Sequence, residues 1–537
     1  MKMIIKKYGA FALLGLVFFF LVFLNLFFHD HWLDSDMAAE MVFSRLLAES
    51  GHLFATPEWY YSTEFRVLYT QLVMTPLFLV TDNWHFIRMT TNIVTYLLMM
   101  ASYFYMMKPL KVDRRLTALT GAVLLLPFSE TMMTHMQMGN TYMPHVILLC
   151  LFFGMFLRLV KKEGYSRGRR WEITGFYAGL AVICGVSGVR YLLAMQCPLL
   201  LASVLYLCGS REFGLFRSRF GGGGDTGAYW KDVWKSAEAR YVYYSLLGAA
   251  AGVAGYGLNV LWVSRRYVFQ TYGATNFIAV YQGVLGERLQ NAIGSLLMLF
   301  GYIPDKGFLS VRGLISLVSF VLIALLGYCC VRVYRKNKGE RFFVALFLGV
   351  AFGLNVFVFV FTTSTMVPRY YITLLLFALP VLAFYFEGQE LPFDRAVAGI
   401  LLGVCLCAAS GKVALSYLGA DKNADRRDVA AFLEENGFDF GYATYWNANI
   451  ITELTDGAVE VANIHDLGTL EYFKWSSPVK YYSEDYHQGR TFLLLTGEEA
   501  AQYRGTPALR GGELVYEDGK YTVYAYRSTA QFLSNAP

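Results

Sequence analysis

Residues 8–28 (YGAFALLGLVFFFLVFLNLFF) form an almost uninterrupted apolar segment, which constrains the fold more than any other part of the chain. A helix of this length is about 30 Å long, which matches the hydrocarbon core of a bilayer. Lys2, Lys6 and Lys7 precede the segment, and no small-residue cleavage site follows it. We therefore predict a signal anchor that stays in the membrane with its N-terminus inside.

The composition extends this prediction to most of the chain. Of 537 residues, 56% are hydrophobic and only 16% are charged, whereas soluble domains carry about 25% charged residues. The net charge of +6 comes from Lys and Arg in short loops and gives no argument for nucleic acid as a partner. All eight cysteines lie in apolar segments, which predicts buried thiols without a disulfide framework or a CxxC metal site.

Ten further apolar segments, together with the first, predict about eleven spans with the N-terminus inside and the C-terminus outside. The alternation follows basic runs at 108–115, 161–170, 209–240 and 332–341, which we place inside. Residues 65–81 and 291–304 are too polar or too short, so we predict that they lie along the interface or re-enter. The predicted further spans are 86–107, 116–130, 143–160, 173–189, 191–208, 241–263, 314–333, 342–362, 370–386 and 395–417.

The composition changes near residue 420, which divides the chain into a membrane domain (1–419) and a tail (420–537). Apolar strand patterns alternate with short helical patterns in the tail, and Asp518-Gly519 is a strong two-residue hairpin signal. The sequence predicts a small α/β domain on the outer face. The glycine run at 221–227 lacks the GK[ST] ending of a phosphate-binding loop, so we predict a flexible linker there.

The first outer loop, residues 29–85, is far more polar than its surroundings and carries several carboxylates. Carboxylates beside a bilayer are costly to desolvate, and they mark ion, proton or substrate chemistry. Asp34 and Asp36 lie where an amphipathic helix begins, so one is expected to cap the helix while the other faces a cavity. A carboxylate there can act as the base that activates an attacking hydroxyl. Glu64, in the same loop, is the reserve candidate.

These features together resemble the GT-C membrane glycosyltransferases. The resemblance rests on the acidic first outer loop, the helix AEM…LLAESG that follows Asp34 and Asp36, about eleven spans and an outer α/β tail. The superfamily includes protein O-mannosyltransferases, the aminoarabinose transferase of lipid A and the catalytic subunit of oligosaccharyltransferase. The number of residues before Glu40 indicates that Asp34 corresponds to the family's catalytic aspartate. The number of residues before Gly51 indicates Asp36 instead. We favour Asp36, because Asp34 is nearer the cap position.

Basic residues at the outer ends of spans are the candidates for holding a phosphate. Positive charge is expected inside, yet these arginines fall outside, and an arginine fork suits the phosphate of a polyprenyl carrier. The dipeptide Arg369-Tyr370 is similar to the Arg-Tyr pair that opens a late span in many GT-C transferases. Interface anchoring is the alternative role. The candidates are Arg190, Arg265, Arg266, Arg369 and Tyr370.

The second outer loop contributes Glu130 and His135. Members of the family that resemble oligosaccharyltransferase place a second acidic motif here, which joins the first aspartate around a divalent metal. Because other members work without a metal, an ordinary polar loop is the alternative, and the cofactor stays open. In the tail, the amides that follow YATYW, Asn447 and Asn449, suit either a sugar or a plain turn between strand and helix.

The sequence thus predicts an integral plasma-membrane glycosyltransferase. It would move a sugar from a polyprenyl-phosphate carrier to a hydroxyl of a glycan, lipid or protein acceptor on the outer face. Two alternatives are a transporter or flippase of lipid-linked sugars and a non-catalytic protein that binds glycans through its tail. A transporter would be expected to carry charges at the bilayer midplane.

The predicted topology can be tested by labelling with a membrane-impermeant thiol reagent in intact cells. Asp225→Cys should stay unlabelled until the membrane is opened, because it lies in a basic loop that we place inside. Lys520→Cys, in the tail, should be labelled at once. The unsubstituted chain gives the background from its own cysteines, and labelling of both variants from outside would contradict the topology.

Overall fold

The computed structural model shows a bundle of long helices followed by a C-terminal mixed sheet. The predicted linker at 221–227 lies outside the described residues, as does part of the basic loop 209–240. The residues described are 2–139, 142–161, 164–209, 233–270, 275–279, 283–307, 309–388, 391–483 and 485–535.

The helical part begins with the predicted anchor and ends just before the tail. A 3₁₀ turn, Pro368–Tyr371, leads directly into helix α14. The helices are α1 (Lys2–Phe28), α2 (Ser35–Glu49), α3 (Gln71–Phe78), α4 (Trp84–Met107), α5 (Arg114–Leu125), α6 (Glu130–Met138), α7 (Met143–Lys161), α8 (Arg167–Val186), α9 (Leu192–Cys208), α10 (Ala239–Arg266), α11 (Leu285–Leu299), α12 (Val311–Lys336), α13 (Gly339–Phe361), α14 (Ile372–Glu387) and α15 (Pro392–Gly419).

Seven described helices are long and apolar enough to cross a membrane, or eight if the bent pair α5–α6 counts as one span. Each of the eleven predicted spans coincides with a helix, but α4, α8 and α9 are not among the helices that are long and apolar enough to cross a membrane. The number eleven therefore stays a prediction. Helix α11 has 15 residues, which is shorter than the roughly 20 that a span requires.

One predicted span has the wrong outer end. The apolar pattern at 116–130 predicted a continuous helix, but α5 ends at Leu125 and α6 continues at 92° to it. Leu126 is extended, as is expected for a residue before a proline, because the ring of Pro127 disfavours helical backbone there. The second outer loop consequently starts with a short helix that lies across the direction of the bundle.

The tail contains a six-stranded mixed sheet in the order β5-β4-β3-β7-β9-β8. The central strand β3 is parallel to β4 and β7, whereas β9 is antiparallel to both β7 and β8. The predicted hairpin is confirmed, and Gly519 at its turn has a φ of +85°, which suits glycine. The elements are α16 (Ala424–Glu435), β3 (Phe440–Thr444), α17 (Tyr445–Leu454), β4 (Glu460–Asp466), β5 (Glu471–Tyr472), β7 (Thr491–Thr496), α18 (Gly497–Gln502), β8 (Glu513–Glu517), β9 (Tyr521–Tyr526) and α19 (Thr529–Leu533).

A second, three-stranded sheet joins the tail to the membrane domain. Strand β1 (Trp59–Tyr61) of the first outer loop is parallel to β2 (Val268–Phe269), which follows α10. On its other edge β1 is antiparallel to β6 (Ser477–Pro478) of the tail. Backbone hydrogen bonds therefore connect three segments that are far apart in sequence.

A buried ion pair holds helix α17 of the tail against the membrane domain. Arg88 in α4 donates from Nε to Glu453 Oε1 at 3.0 Å and from Nη2 to Oε2 at 2.7 Å. Nη2 also donates to the carbonyl of Met37, in the first turn of α2, at 2.8 Å. The Arg88 side chain is only 1% exposed. The pair therefore connects α4, α2 and α17 at one point.

We expect Arg88→Met to destabilise the protein, because the buried carboxylate of Glu453 would lose its counter-charge. Breaking one partner of a buried pair typically costs about 3–5 kcal/mol. The double variant Arg88→Met/Glu453→Met should recover much of that loss. Thermal unfolding in detergent and tryptic release of the tail are the measurements. The control is Arg169→Met, which removes the exposed pair between Arg169 and Glu172 and should change little. Equal stability of Arg88→Met and the control would contradict this role.

Candidate functional site

A polar cavity of about 300 Å³ lies where the first outer loop, the 3₁₀ turn before α14 and the tail meet. Its wall includes residues from α2 and from the segment between β5 and β6 as well. The described residues that line it are Asp36, Ala39, Glu40, Phe43, Trp59, Tyr61, Ser62, Thr63, Glu64, Arg66, Tyr69, Thr70, Gln71, Tyr142, Arg190, Arg369, Tyr370, Trp475 and Ser476.

The two aspartates at the start of α2 have different surroundings. Asp34 is the N-cap, and its Oδ1 accepts from the backbone N–H of Met37 at 2.9 Å. Asp36 lies in the first helical turn and lines the cavity, where its Oδ1 accepts from the hydroxyl of Tyr445 at 2.5 Å. This is the arrangement expected from the sequence, with Asp34 at the cap and Asp36 in the cavity. The role of Asp36 as a base stays a prediction.

Two ion pairs neutralise four of the charged side chains in the cavity wall. Glu64 accepts from Arg190 Nε at 2.5 Å, and Arg190 Nη1 lies 3.2 Å from His145 Nε2. Glu40 accepts from Arg66 Nη1 at 3.1 Å and from the hydroxyl of Thr70 at 2.9 Å. Burial raises the pKa of Glu40 to about 7 against the opposing charge of Arg66. Glu64, the reserve base, is therefore occupied by Arg190.

Arg369 differs from the other cavity arginines because it forms no ion pair with any residue that the structure describes. Its guanidinium lies 6.0 Å from the centre of the Tyr370 ring, and the same ring is 6.0 Å from the guanidinium of Arg190. The Tyr370 ring is held by stacking on Phe359, with centroids 4.9 Å apart. A cation without a carboxylate partner in a half-buried cavity is suited to bind an anionic ligand.

The structure brings five of the predicted site residues to this cavity and leaves the others outside it. Arg265 and Arg266 do not reach the cavity and are exposed at the end of α10. The buried side chain of this helical turn is Val263, which packs in the apolar cluster around Trp59. The two arginines therefore lie on the exposed side of the helix. The five that line the cavity are Asp36, Glu64, Arg190, Arg369 and Tyr370.

Glu130 and His135 of the second outer loop are not among the described residues that line the cavity. Glu130 is exposed as the first residue of α6, where Ser129 caps the helix. His135 is half-buried, with its ring 5.9 Å from that of Tyr142. Within the described ranges, no group of three or more His, Cys, Asp or Glu side chains is placed to hold a metal ion. The possibility of a divalent metal therefore rests on the family resemblance alone.

The sequence analysis missed three residues of the tail that contact Asp36 or line the cavity. Tyr445, whose hydroxyl donates to Asp36, is the first residue of α17 and directly follows β3, which ends at Thr444. Trp475 and Ser476 line the cavity from the segment before β6. The amides considered for sugar binding have protein partners instead. Asn447 accepts from Arg426, and Asn449 donates to the carbonyl of Ser476.

The environment of Asp34 predicts a pH-dependent stability. Burial, with the charge of Asp36 beside it, raises the pKa of Asp34 to about 6, whereas an unfolded aspartate titrates near 4. Folding is therefore disfavoured increasingly as the pH rises from about 4 to about 6, and the loss is complete above that range. Asparagine caps a helix equally well without titrating.

Asp34→Asn should accordingly unfold at a higher temperature than the unsubstituted protein at pH 8, and the gain should nearly vanish at pH 4. Thermal unfolding in detergent at both pH values measures this difference. A lower unfolding temperature for Asp34→Asn at pH 8 would show that the ionised carboxylate stabilises the cap.

Two solved structures of ArnT from Cupriavidus metallidurans are similar to this chain. One is bound to undecaprenyl phosphate and is 15% identical, and the other is in the apo state and is 12% identical. Each has a TM-score of 0.55 and covers 99% of this chain and 99% of its own chain. Comparisons with protein-family models and with curated protein sequences gave no match. The chain has the fold of these ArnT structures. The predicted architecture of membrane-spanning helices followed by a C-terminal β-sheet domain is thereby confirmed.

Proposed function

We propose that this protein is a membrane glycosyltransferase that moves a sugar from a polyprenyl-phosphate carrier to an acceptor hydroxyl on the outer face of the membrane. The fold that the chain shares with ArnT supports this function, as does the resemblance of its sequence to the GT-C glycosyltransferases. ArnT, whose structure was solved with undecaprenyl phosphate, supports this class of carrier. The outer location is supported by the basic loops that we place inside.

The arrangement of charges in the cavity is the observation that carries the proposal. Six charged side chains line it, and four of them form the two ion pairs described above. The remaining two are Asp36 and Arg369, which have opposite charges and form no ion pair with a described residue. Transfer from a lipid phosphate requires both of these charges, because a base must receive a proton and a cation must hold the phosphate.

In the proposed reaction, an acceptor oxygen attacks the anomeric carbon of the sugar while Asp36 receives the hydroxyl proton. The bond between the anomeric carbon and the phosphate oxygen breaks, and the polyprenyl phosphate leaves with the bonding electrons. Arg369 then stabilises the negative charge that develops on the leaving phosphate. A single displacement of this kind inverts the configuration of the anomeric carbon.

Arg190 is the second candidate for contact with the phosphate, because its guanidinium lies 6.0 Å from the centre of the Tyr370 ring, the same distance as the Arg369 guanidinium. Two of its nitrogens are already engaged with Glu64 and His145. Since Glu64 offsets its charge, we expect Arg190 to contribute less to phosphate binding than Arg369. Its pairing also keeps Glu64 from acting as the base.

An apolar cleft of about 590 Å³ beside the cavity suits the isoprenoid chain of the carrier. It lies between α11, α12, α13 and α14, and its wall includes Tyr371, the residue after Tyr370. The 3₁₀ turn Pro368–Tyr371 therefore borders both spaces. A carrier with its phosphate beside Arg369 could place its chain in the cleft without leaving the apolar interior.

The alternatives from the sequence explain the cavity less well. A transporter or flippase of lipid-linked sugars needs sites that alternate between the two sides, whereas this cavity lies among the outer loop and the tail. A protein that only binds glycans can use a carboxylate to hold sugar hydroxyls, but it has no need for an arginine without an acidic partner. Neither alternative accounts for Asp36 and Arg369 in the same cavity.

Arg369→Ala should weaken binding of undecaprenyl phosphate by roughly 10- to 100-fold, which corresponds to the loss of one or two hydrogen bonds from a charged donor. Arg369→Lys should recover only part of the affinity, because an ammonium cannot reproduce the guanidinium fork. Native mass spectrometry of the protein in nanodiscs measures the binding. Arg265→Ala is the matched control and should bind normally. Equal affinity of Arg369→Ala and the control would remove Arg369 from the site.

Asp36→Asn should lower turnover by about 10²- to 10⁴-fold, as is typical when a general base is lost, while leaving binding of undecaprenyl phosphate intact. Asp34→Asn is the matched control two residues away, and it should keep most of the activity because asparagine also caps. The assay measures release of undecaprenyl phosphate from a panel of undecaprenyl-phosphate-linked pentoses and hexoses, with an envelope extract of the source organism as acceptor. Inactive Asp34→Asn with active Asp36→Asn would reverse the assignment.

A further inference from the structure

The tail contributes one hydroxyl group to the carboxylate at the centre of the cavity. Tyr445, the first residue of α17, donates to Asp36 Oδ1 at 2.5 Å, although the two residues are 409 positions apart in sequence. The Tyr445 side chain is buried, with 8% exposed. We propose that Tyr445 is a positioning residue, which fixes Asp36 so that its second carboxylate oxygen faces the acceptor.

The carboxylate of Asp36 accepts one side-chain hydrogen bond among the described residues. Asp36 forms no ion pair in the described part of the chain, and Oδ2 accepts no hydrogen bond there, so the bond from Tyr445 to Oδ1 is its side-chain anchor. A half-buried carboxylate without a donor would be costly, and it could rotate about its side-chain bonds. With Oδ1 occupied, Oδ2 keeps its lone pairs for the proton of the acceptor hydroxyl.

Tyr445 is itself held at its backbone carbonyl and at its ring. Its backbone carbonyl accepts from the hydroxyl of Ser35, the neighbour of Asp36 in α2. Its ring contacts Phe473 in an edge-to-face arrangement with centroids 5.7 Å apart. At the other end of α17, Glu453 is fixed by Arg88. The helix that carries Tyr445 is therefore attached to the membrane domain at both ends.

In the hydrogen bond between Tyr445 and Asp36, the hydroxyl is the donor and the carboxylate is the acceptor. Burial, with Asp36 beside it, raises the pKa of Tyr445 well above its usual value. The hydroxyl consequently stays protonated over the physiological range and acts as a donor. A hydroxyl that stays protonated can anchor the carboxylate of Asp36, but it cannot itself act as the base that takes the proton of the acceptor. The tail thereby supplies a part of the active site as well as covering it.

This inference rests on the proposed function, because it assigns a role through the proposed base. Tyr445→Phe keeps the ring and removes only the hydroxyl. We expect kcat to fall roughly 10- to 100-fold, since a hydrogen bond to a charged group is lost, while KM for the lipid-linked donor stays the same. The matched control is Tyr526→Phe, which removes another buried tail hydroxyl, donated to the carbonyl of Ala508 at 2.7 Å, and should leave kcat unchanged.

A double variant separates positioning from a general structural effect. If Tyr445 acts through Asp36, Asp36→Asn/Tyr445→Phe should be no slower than Asp36→Asn alone, because the role of the hydroxyl has already been lost. A further loss in the double variant would overturn the proposal, as would a normal kcat in Tyr445→Phe or an equal loss in Tyr526→Phe. Thermal unfolding of each variant shows whether the loss comes from unfolding.

The assay with undecaprenyl-phosphate-linked sugars distinguishes this failure from failure of the proposed function. If the unsubstituted protein turns over a donor and Asp36→Asn does not, a normal Tyr445→Phe rejects only the positioning role. If Asp36→Asn turns over the donor normally, or if no donor in the panel is used, the proposed function itself is rejected and the positioning role with it.

Discussion

The buried ion pair between Arg88 and Glu453 is the interaction on which the arrangement of the site depends. An arginine that is 1% exposed in an apolar bundle is tolerated only if its charge is balanced. Glu453 supplies the charge, and the carbonyl of Met37 uses a further donor. Because these partners come from the tail and from α2, satisfying one buried charge also fixes the two elements that carry Tyr445 and Asp36.

The charged side chains that line the cavity fall into a paired group and an unpaired group. Most of its charged side chains are paired with one another, so they shape the wall and set its polarity without being available to a ligand. Asp36 is anchored by a neutral hydroxyl, and Arg369 lies beside an aromatic ring. Neither group forms an ion pair with a described residue. In the proposed transfer, Asp36 receives the proton and Arg369 holds the phosphate. The apolar cleft, whose wall includes Tyr371, is the proposed place for the isoprenoid chain.

Features that depend on short segments could be predicted from the sequence. Long apolar segments predict membrane helices, because a chain that crosses the bilayer must hydrogen-bond its own backbone groups and carry apolar side chains over a fixed length. The cap at Asp34 and the position of Asp36 follow from the chemistry of a helix start. Arg369 could be found because a cation at the outer end of a span contradicts the usual charge bias. Those signals are local, and each is visible within a few residues.

Features that depend on contacts between distant segments could not be predicted. The pairing of Glu40 with Arg66 and the bond from Tyr445 to Asp36 arise only when the outer loop and the tail are brought together. Arg265 and Arg266 lie outside the cavity, which the charge bias that singled them out could not show, because it does not say which side of a helix turn is buried. There the buried residue is Val263. The boundary between β3 and α17 also depends on tertiary contacts, since aromatic residues are common in both kinds of element.

The central claim is that the cavity between the outer loop and the tail holds the phosphate of a polyprenyl carrier opposite Asp36. An electron cryomicroscopy structure of the protein in nanodiscs with undecaprenyl phosphate tests it most directly. The account predicts density for the phosphate within hydrogen-bonding distance of the Arg369 guanidinium, with the isoprenoid chain in the apolar cleft. A lipid phosphate bound elsewhere, with the cavity empty and Arg369 without a contact to it, would contradict the account.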